Sequence, residues 1–95
     1  MSNREAYEQK LNARLEEWQA EIDKLRAKAR KAEADVRIEQ EKETERMEAK
    51  REEVREKLKE LREAGDDAWD DIQEGAERAW QAFNDSFEKA RNRFK

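Results

Sequence analysis

The chain has no cysteine, no histidine and no proline, and its only glycines are Gly65 and Gly75. Each absence removes something. Without cysteine there is no disulfide framework and no thiolate chemistry. Nucleophilic catalysis needs an activated nucleophile beside a base. Here the hydroxyl side chains are only Ser2, Tyr7, Thr44 and Ser86, and none sits in a recognisable catalytic turn. Glycine loops that cradle phosphate are missing too. The paired carboxylates lie on helix surfaces, where nothing shifts them towards acid–base work. We therefore expect no enzyme, no cofactor and no metal site. No apolar run approaches the roughly 18 residues that a membrane span needs. Met1-Ser2-Asn3-Arg4-Glu5 lacks the apolar segment of a secretory signal, and the expected location is cytoplasmic.

Proline and glycine punctuate helices, so their scarcity points to long helices. Of the 95 residues, 51% are charged and only 35% are hydrophobic, with a net charge of −4. This is the mixed Glu/Lys/Arg/Ala composition of long helices and coiled coils. It is not the one-signed composition of a nucleic-acid arm or an acidic tail. The length allows one domain, residues 1–95, with little core of its own.

Ser2 followed by Glu5 reads as a capping box that starts a first helix. Its apolar stripe runs Tyr7, Leu11, Leu15, Trp18, Ile22, Leu25, Ala29, Ala32, Val36, in steps of three and four. The stripe thins between Val36 and Val54. Gln40 and Glu43 occupy its positions there, Met47 alone continues it, and Ile38 points elsewhere. It returns at Val54, Leu58 and Leu61. Glu33–Arg37, Glu39–Lys42, Glu43–Arg46, Glu48–Arg51, Glu52–Arg55 and Glu53–Lys57 lace the polar face with opposite charges. Each such pair supports a helix by about 0.2–0.5 kcal/mol.

Gly65-Asp66-Asp67 is the one internal stop-and-start signal. Gly65 suits the left-handed position after a helix, and Asp66 or Asp67 suits the N-cap of the next. Residues 66–77 carry acids and no base, and residues 78–95 are mainly basic, as a helix dipole favours. The expected fold is all-α. A long amphipathic helix over about 4–64 is followed by a second over about 66–93. The alternative is one continuous helix through Gly65, because the stripe keeps its phase there and one interior glycine costs only about 1 kcal/mol. An eleven-residue repeat, Leu25, Val36, Met47, Leu58, Trp69, Trp80, crosses the same point.

Five of the seven aromatic residues lie in the stretch Asp66–Phe94. Trp69, Ile72, Ala76, Trp80, Phe83, Phe87 and Phe94 form one narrow apolar ridge that must be covered. A straight 60-residue helix cannot bring the rich segment Tyr7–Val36 back onto this ridge, but a second copy can. We therefore expect a coiled-coil or helical-bundle homo-oligomer. Its interface would be Tyr7, Leu11, Leu15, Trp18, Ile22, Leu25, Val36, Met47, Val54, Leu58, Leu61, Trp69, Ile72, Trp80, Phe83, Phe87 and Phe94, and another helical protein could serve as partner.

Other readings of the same residues are weaker. Asp66, Asp67, Asp70 and Asp71 lack the register of a calcium loop. The run Lys24, Arg26, Lys28, Arg30, Lys31 spreads around the helix with no interleaved aromatic, so nucleic acid is not expected. The ridge also fits a helix lying on a lipid or storage-granule surface, as in phasins or apolipoproteins, but the acidic first half disfavours anionic membranes. A protectant disordered until dried is disfavoured by the aromatics.

The frame Arg4-Glu5-Ala6-Tyr7, the segment Leu15–Leu25 (Leu-Glu-Glu-Trp-Gln-Ala-Glu-Ile-Asp-Lys-Leu), the segment Leu61–Trp69 (Leu-Arg-Glu-Ala-Gly-Asp-Asp-Ala-Trp) and the closing Trp80…Phe83…Phe94-Lys95 resemble a family of small bacterial coiled-coil proteins. These are catalogued as hypothetical or stress-response proteins. The resemblance implies a cytoplasmic helical protein with a stress link, and it carries over no catalytic residue.

Overall fold

The computed structural model describes residues 3–93. The fold is all-α. Three helices follow one another: α1, Asn3–Arg30; α2, Ala34–Glu63; α3, Asp66–Arg93. They run up, down and up in a bundle of 50 × 20 × 18 Å. The long dimension matches a helix of this length at 1.5 Å per residue. Ser2 of the Ser2–Glu5 capping box lies outside the described residues, and Glu5 lies in the first turn of α1.

The single first helix expected over 4–64 is two helices. It breaks at Lys31-Ala32-Glu33, where the Lys31 and Ala32 amides donate to the Lys28 and Ala29 carbonyls at 3.1 Å. Glu33 is extended (φ −62°, ψ 156°), offers no side-chain cap, and accepts from the Arg37 amide at 2.8 Å. The physical reason is burial. A straight rod would leave Leu11, Leu15, Trp18, Ile22 and Leu25 facing water. Folded back, all five are buried, each stabilising the bundle by roughly 1.5–3 kcal/mol. A local signal also marks the place. Bases (Lys28, Arg30, Lys31) lead into the break and acids (Glu33, Asp35) lead out of it, the same dipole pattern that marks a helix end and a helix start.

The second break falls at Ala64-Gly65, and the continuous helix through Gly65 does not form. Its geometry differs from the expected cap. No glycine has positive φ. Ala64 instead leaves α2 in an extended conformation (φ −74°, ψ 142°). The Gly65 carbonyl accepts from the Ala68 and Trp69 amides at 3.2 and 3.0 Å. Gly65 thus opens α3 as its N-cap, and Asp66 and Asp67 lie in the first turn rather than at the cap.

The core is one continuous cluster running the length of the bundle. In the thin stretch of α2, Thr44 and Met47 are buried, and Met47 joins the core cluster. The Thr44 hydroxyl donates to its own helix at the Glu41 carbonyl (2.9 Å), so its burial leaves the donor satisfied. Two contacts set the antiparallel register of α1 and α2. Arg51 Nε donates to the Leu15 carbonyl at 3.0 Å, and Arg26 pairs with Glu48 at 2.6 Å. The backbones of α1 and α3 stand farther apart than either does from α2. Large rings fill that gap.

Candidate functional site

The aromatic ridge of α3 is covered by α1 of the same chain. Trp18 stacks on Trp80 with ring centres 4.2 Å apart, and on Phe83 at 3.9 Å. Phe83 in turn neighbours Phe87 at 6.3 Å. Near the start of both helices Tyr7 meets Trp69 edge to face at 5.7 Å. Each such pair is worth about 0.5–1.5 kcal/mol beyond the area it buries. These contacts explain why α1 and α3 are the aromatic helices and α2 is not. Rings span a gap that Leu and Val cannot.

Arginines close the edge of this seam. Arg14 lies over the Trp80 ring at 4.4 Å, Arg4 over Trp69 at 5.5 Å, and Arg91 over Phe87 at 4.9 Å. Arg4 also donates to the Leu61 and Ala64 carbonyls at 3.2 and 2.8 Å and to Asp66 Oδ1 at 3.0 Å. One side chain of α1 therefore bonds two carbonyls where α2 ends and reaches the carboxylate that begins α3. Tyr7 donates to Glu77 Oε1 at 2.6 Å, and Arg14 donates to the same oxygen at 3.2 Å. Burial, then the hydrogen bond to Glu77 and its charge, push the Tyr7 phenol above its ordinary value of 10.0, with Arg14 opposing. The phenol is thus held as a donor and not poised to lose its proton.

Most of the sequence-derived interface lies inside this single chain. Leu11, Leu15, Trp18, Ile22, Leu25, Met47, Val54, Leu58, Leu61, Trp69, Phe83 and Phe87 are buried, and Tyr7, Ile72 and Trp80 pack partly buried against them. Val36 departs from the pattern. Although it lies on the stripe it is 49% exposed, and neighbouring Ile38 is 51% exposed. Both stand where α2 leaves the turn, on a stretch that is exposed from Glu33 to Glu39. Phe94 lies outside the described residues. The sequence reading missed Arg4, Arg14 and Glu77. Arg4 and Arg14 flank the apolar stripe three or four residues from Tyr7, Leu11 and Trp18, and that position was the available signal.

No protein-family model, no curated protein and no solved structure matches the chain. The functional reading therefore rests on the molecule's own chemistry. Among the described residues, surface grooves of 240 to 380 Å³ lie between the helices or on them, lined by residues such as Glu16, Arg55, Lys59 and Arg62, or Gln73, Glu74, Glu77 and Arg78. They are open and of mixed charge. Among the described residues no cluster of three metal-ligating side chains occurs, and no helix is long and apolar enough to cross a membrane. Within the basic run, Arg26 is committed to Glu48 and Lys24 to Glu21. The Arg26 hydrogen bond holds the Glu48 carboxyl below its ordinary range. Among the described residues the surface offers charge-laced helix and one apolar corner at Val36 and Ile38.

Proposed function

We propose that the protein is a non-enzymatic structural and interaction module that works by helix–helix association, with a second copy of itself as the first partner. The observation that carries this reading is the corner at Val36. The apolar stripe, buried or partly buried along the rest of α1 and α2, surfaces there beside Ile38, and among the described residues these two are the exposed large hydrophobic side chains. An exposed apolar position in phase with a buried stripe is where another helix can extend the packing. The resemblance to small bacterial coiled-coil proteins adds a stress-linked setting to this reading.

The alternative is a protein that coats lipid or storage-granule surfaces with α3. It requires α3 to leave the bundle, since Trp69, Phe83 and Phe87 are buried. Sedimentation equilibrium of the pure protein, from micromolar to submillimolar concentration and without lipid, tests the proposal. A reversible dimer or higher assembly is expected. A monomer throughout, together with helix rearrangement on vesicles or oil droplets, would replace it with the coating reading.

A further inference from the structure

We infer that two copies of the chain associate by exchanging α1, with the turn at Lys31–Glu33 straightening so that α1 and α2 become one rod. This deepens the self-association reading and rests on it. Nothing in the turn demands that the chain bend. Arg30-Lys31-Ala32-Glu33-Ala34 contains no glycine and no proline, and no residue of the described chain has positive φ. Glu33 caps α2 without a side-chain bond. All five are residues that a continuous helix accepts, alanine best of all. The apolar stripe passes through the turn in phase, from Leu25 through Ala29 and Ala32 to Val36. The bend is held by what lies on either side of it, namely the packing of α1 on α2 and α3.

An exchanged pair keeps that packing. Each α1 would lie on α2 and α3 of the other copy in the register seen here, which is why exchange of an identical element is a low-cost route to a dimer. The other connection is unsuited to straightening, because Arg4 ties Leu61, Ala64 and Asp66 together there.

The α1–α2 register also places the two-fold axis. Leu15 meets Arg51 and Arg26 meets Glu48. Residues midway between these partners, from about 33 to about 37, would face their own counterparts across the axis if both rods were straight. Val36 falls in that window and on the stripe. Half exposed in the single chain, it would meet the Val36 of the second copy. Ile38, equally exposed, lies off the stripe and would point away.

Ala34→Pro separates the two states. Ala34 is the first residue of α2, where proline suits the helix and the amide has no intrahelical acceptor. Glu33, with ψ at 156°, already has the extended conformation that a following proline requires. In the rod, the same proline would sit mid-helix and disfavour each continuous helix about a hundredfold. The test is sedimentation equilibrium of wild type and Ala34→Pro, each refolded from denaturant at high concentration, with circular dichroism to check helix content. The expected result is a wild-type dimer and an Ala34→Pro monomer of unchanged helicity. A wild type that dimerises alongside an equally dimeric Ala34→Pro would overturn the exchange while leaving self-association standing. A wild type that stays monomeric would overturn both.

Single cysteines give a second reading in a chain that has none of its own. Under mild oxidation Val36→Cys should form a disulfide-linked dimer at least about tenfold faster than Ile38→Cys, because its thiols meet within disulfide reach. Equal rates would also overturn the exchange. Ala34→Pro in the Val36→Cys background should remove the difference.

Discussion

The two ends of the bundle hold their turns by different means. At the Ala64-Gly65 end the connection is anchored by side chains of a distant helix. Arg4 caps α2 and touches α3, and Tyr7 and Arg14 converge on Glu77 a few turns away. At the Lys31–Glu33 end the described residues show backbone hydrogen bonds, no side-chain cap at Glu33, and two half-exposed apolar side chains nearby. A turn can be fixed by local chemistry and cross-links, or it can be the bend that a chain accepts to bury its apolar face. This molecule has one of each.

The largest test of that contrast strikes the core that imposes the second kind of turn. Phe83 is fully buried against Trp18 and Phe87. Phe83→Ala should destabilise the bundle by about 3–5 kcal/mol, a large share of what a chain of this size has. Urea denaturation followed by tryptophan fluorescence would measure it. If the bend at Lys31–Glu33 is imposed by the core, a probe across that bend should report loss of the hairpin with the same midpoint.

Arg4→Ala tests the anchored end. It removes hydrogen bonds to two helix-terminal carbonyls and to a carboxylate, on a side chain one-third exposed. With that exposure discounted, a loss of about 1–2 kcal/mol is expected. Native-state hydrogen exchange should show protection falling first at Trp69 and the amides around it, while the amides near Arg37 are spared. Uniform loss at both ends would mean that the two connections are not independent.

Alkaline titration probes the same end. The Tyr7 phenol is raised in the folded chain above its ordinary value of 10.0. A group raised on folding contributes stability that is complete below its unfolded value and is lost as pH rises above it. Stability should therefore hold to about pH 10 and then fall. Tyr7→Phe should cost about 1 kcal/mol at neutral pH for the lost hydrogen bond and should flatten the alkaline fall. An unchanged alkaline slope in Tyr7→Phe would assign the fall elsewhere.

Gly65→Ser is the smallest and sharpest. If the chain needed a left-handed glycine here, serine would destabilise it. With no positive φ, and nothing within 4 Å of an added Cβ, Gly65 instead acts as an N-cap. Serine supplies a capping hydroxyl and restricts the unfolded chain, so thermal melting should show a gain of about 0.5–1 kcal/mol.

The helical class, the break before Asp66 and nearly all of the core were legible in the sequence, because three- and four-residue spacing reports a buried helix face directly. The first turn was not. Its residues are good helix formers and the stripe runs through it in phase, so local pattern favours a rod, and only the change from Lys28-to-Lys31 bases to Glu33 and Asp35 hints otherwise. From that one omission came the expectation that a second chain must cover the ridge. Trp18 on Trp80 and Phe83 shows the ridge covered from within.

By itself, then, the sequence determined which residues seek burial and that they do so on helices, since both follow from residue type and period. Only the tertiary structure decided which helix covers which. That depends on the net gain from folding α1 back: several buried apolar side chains and stacked rings set against a few helical hydrogen bonds given up at Lys31–Glu33. This balance sums contacts between residues far apart in the chain, and no local window of sequence contains them.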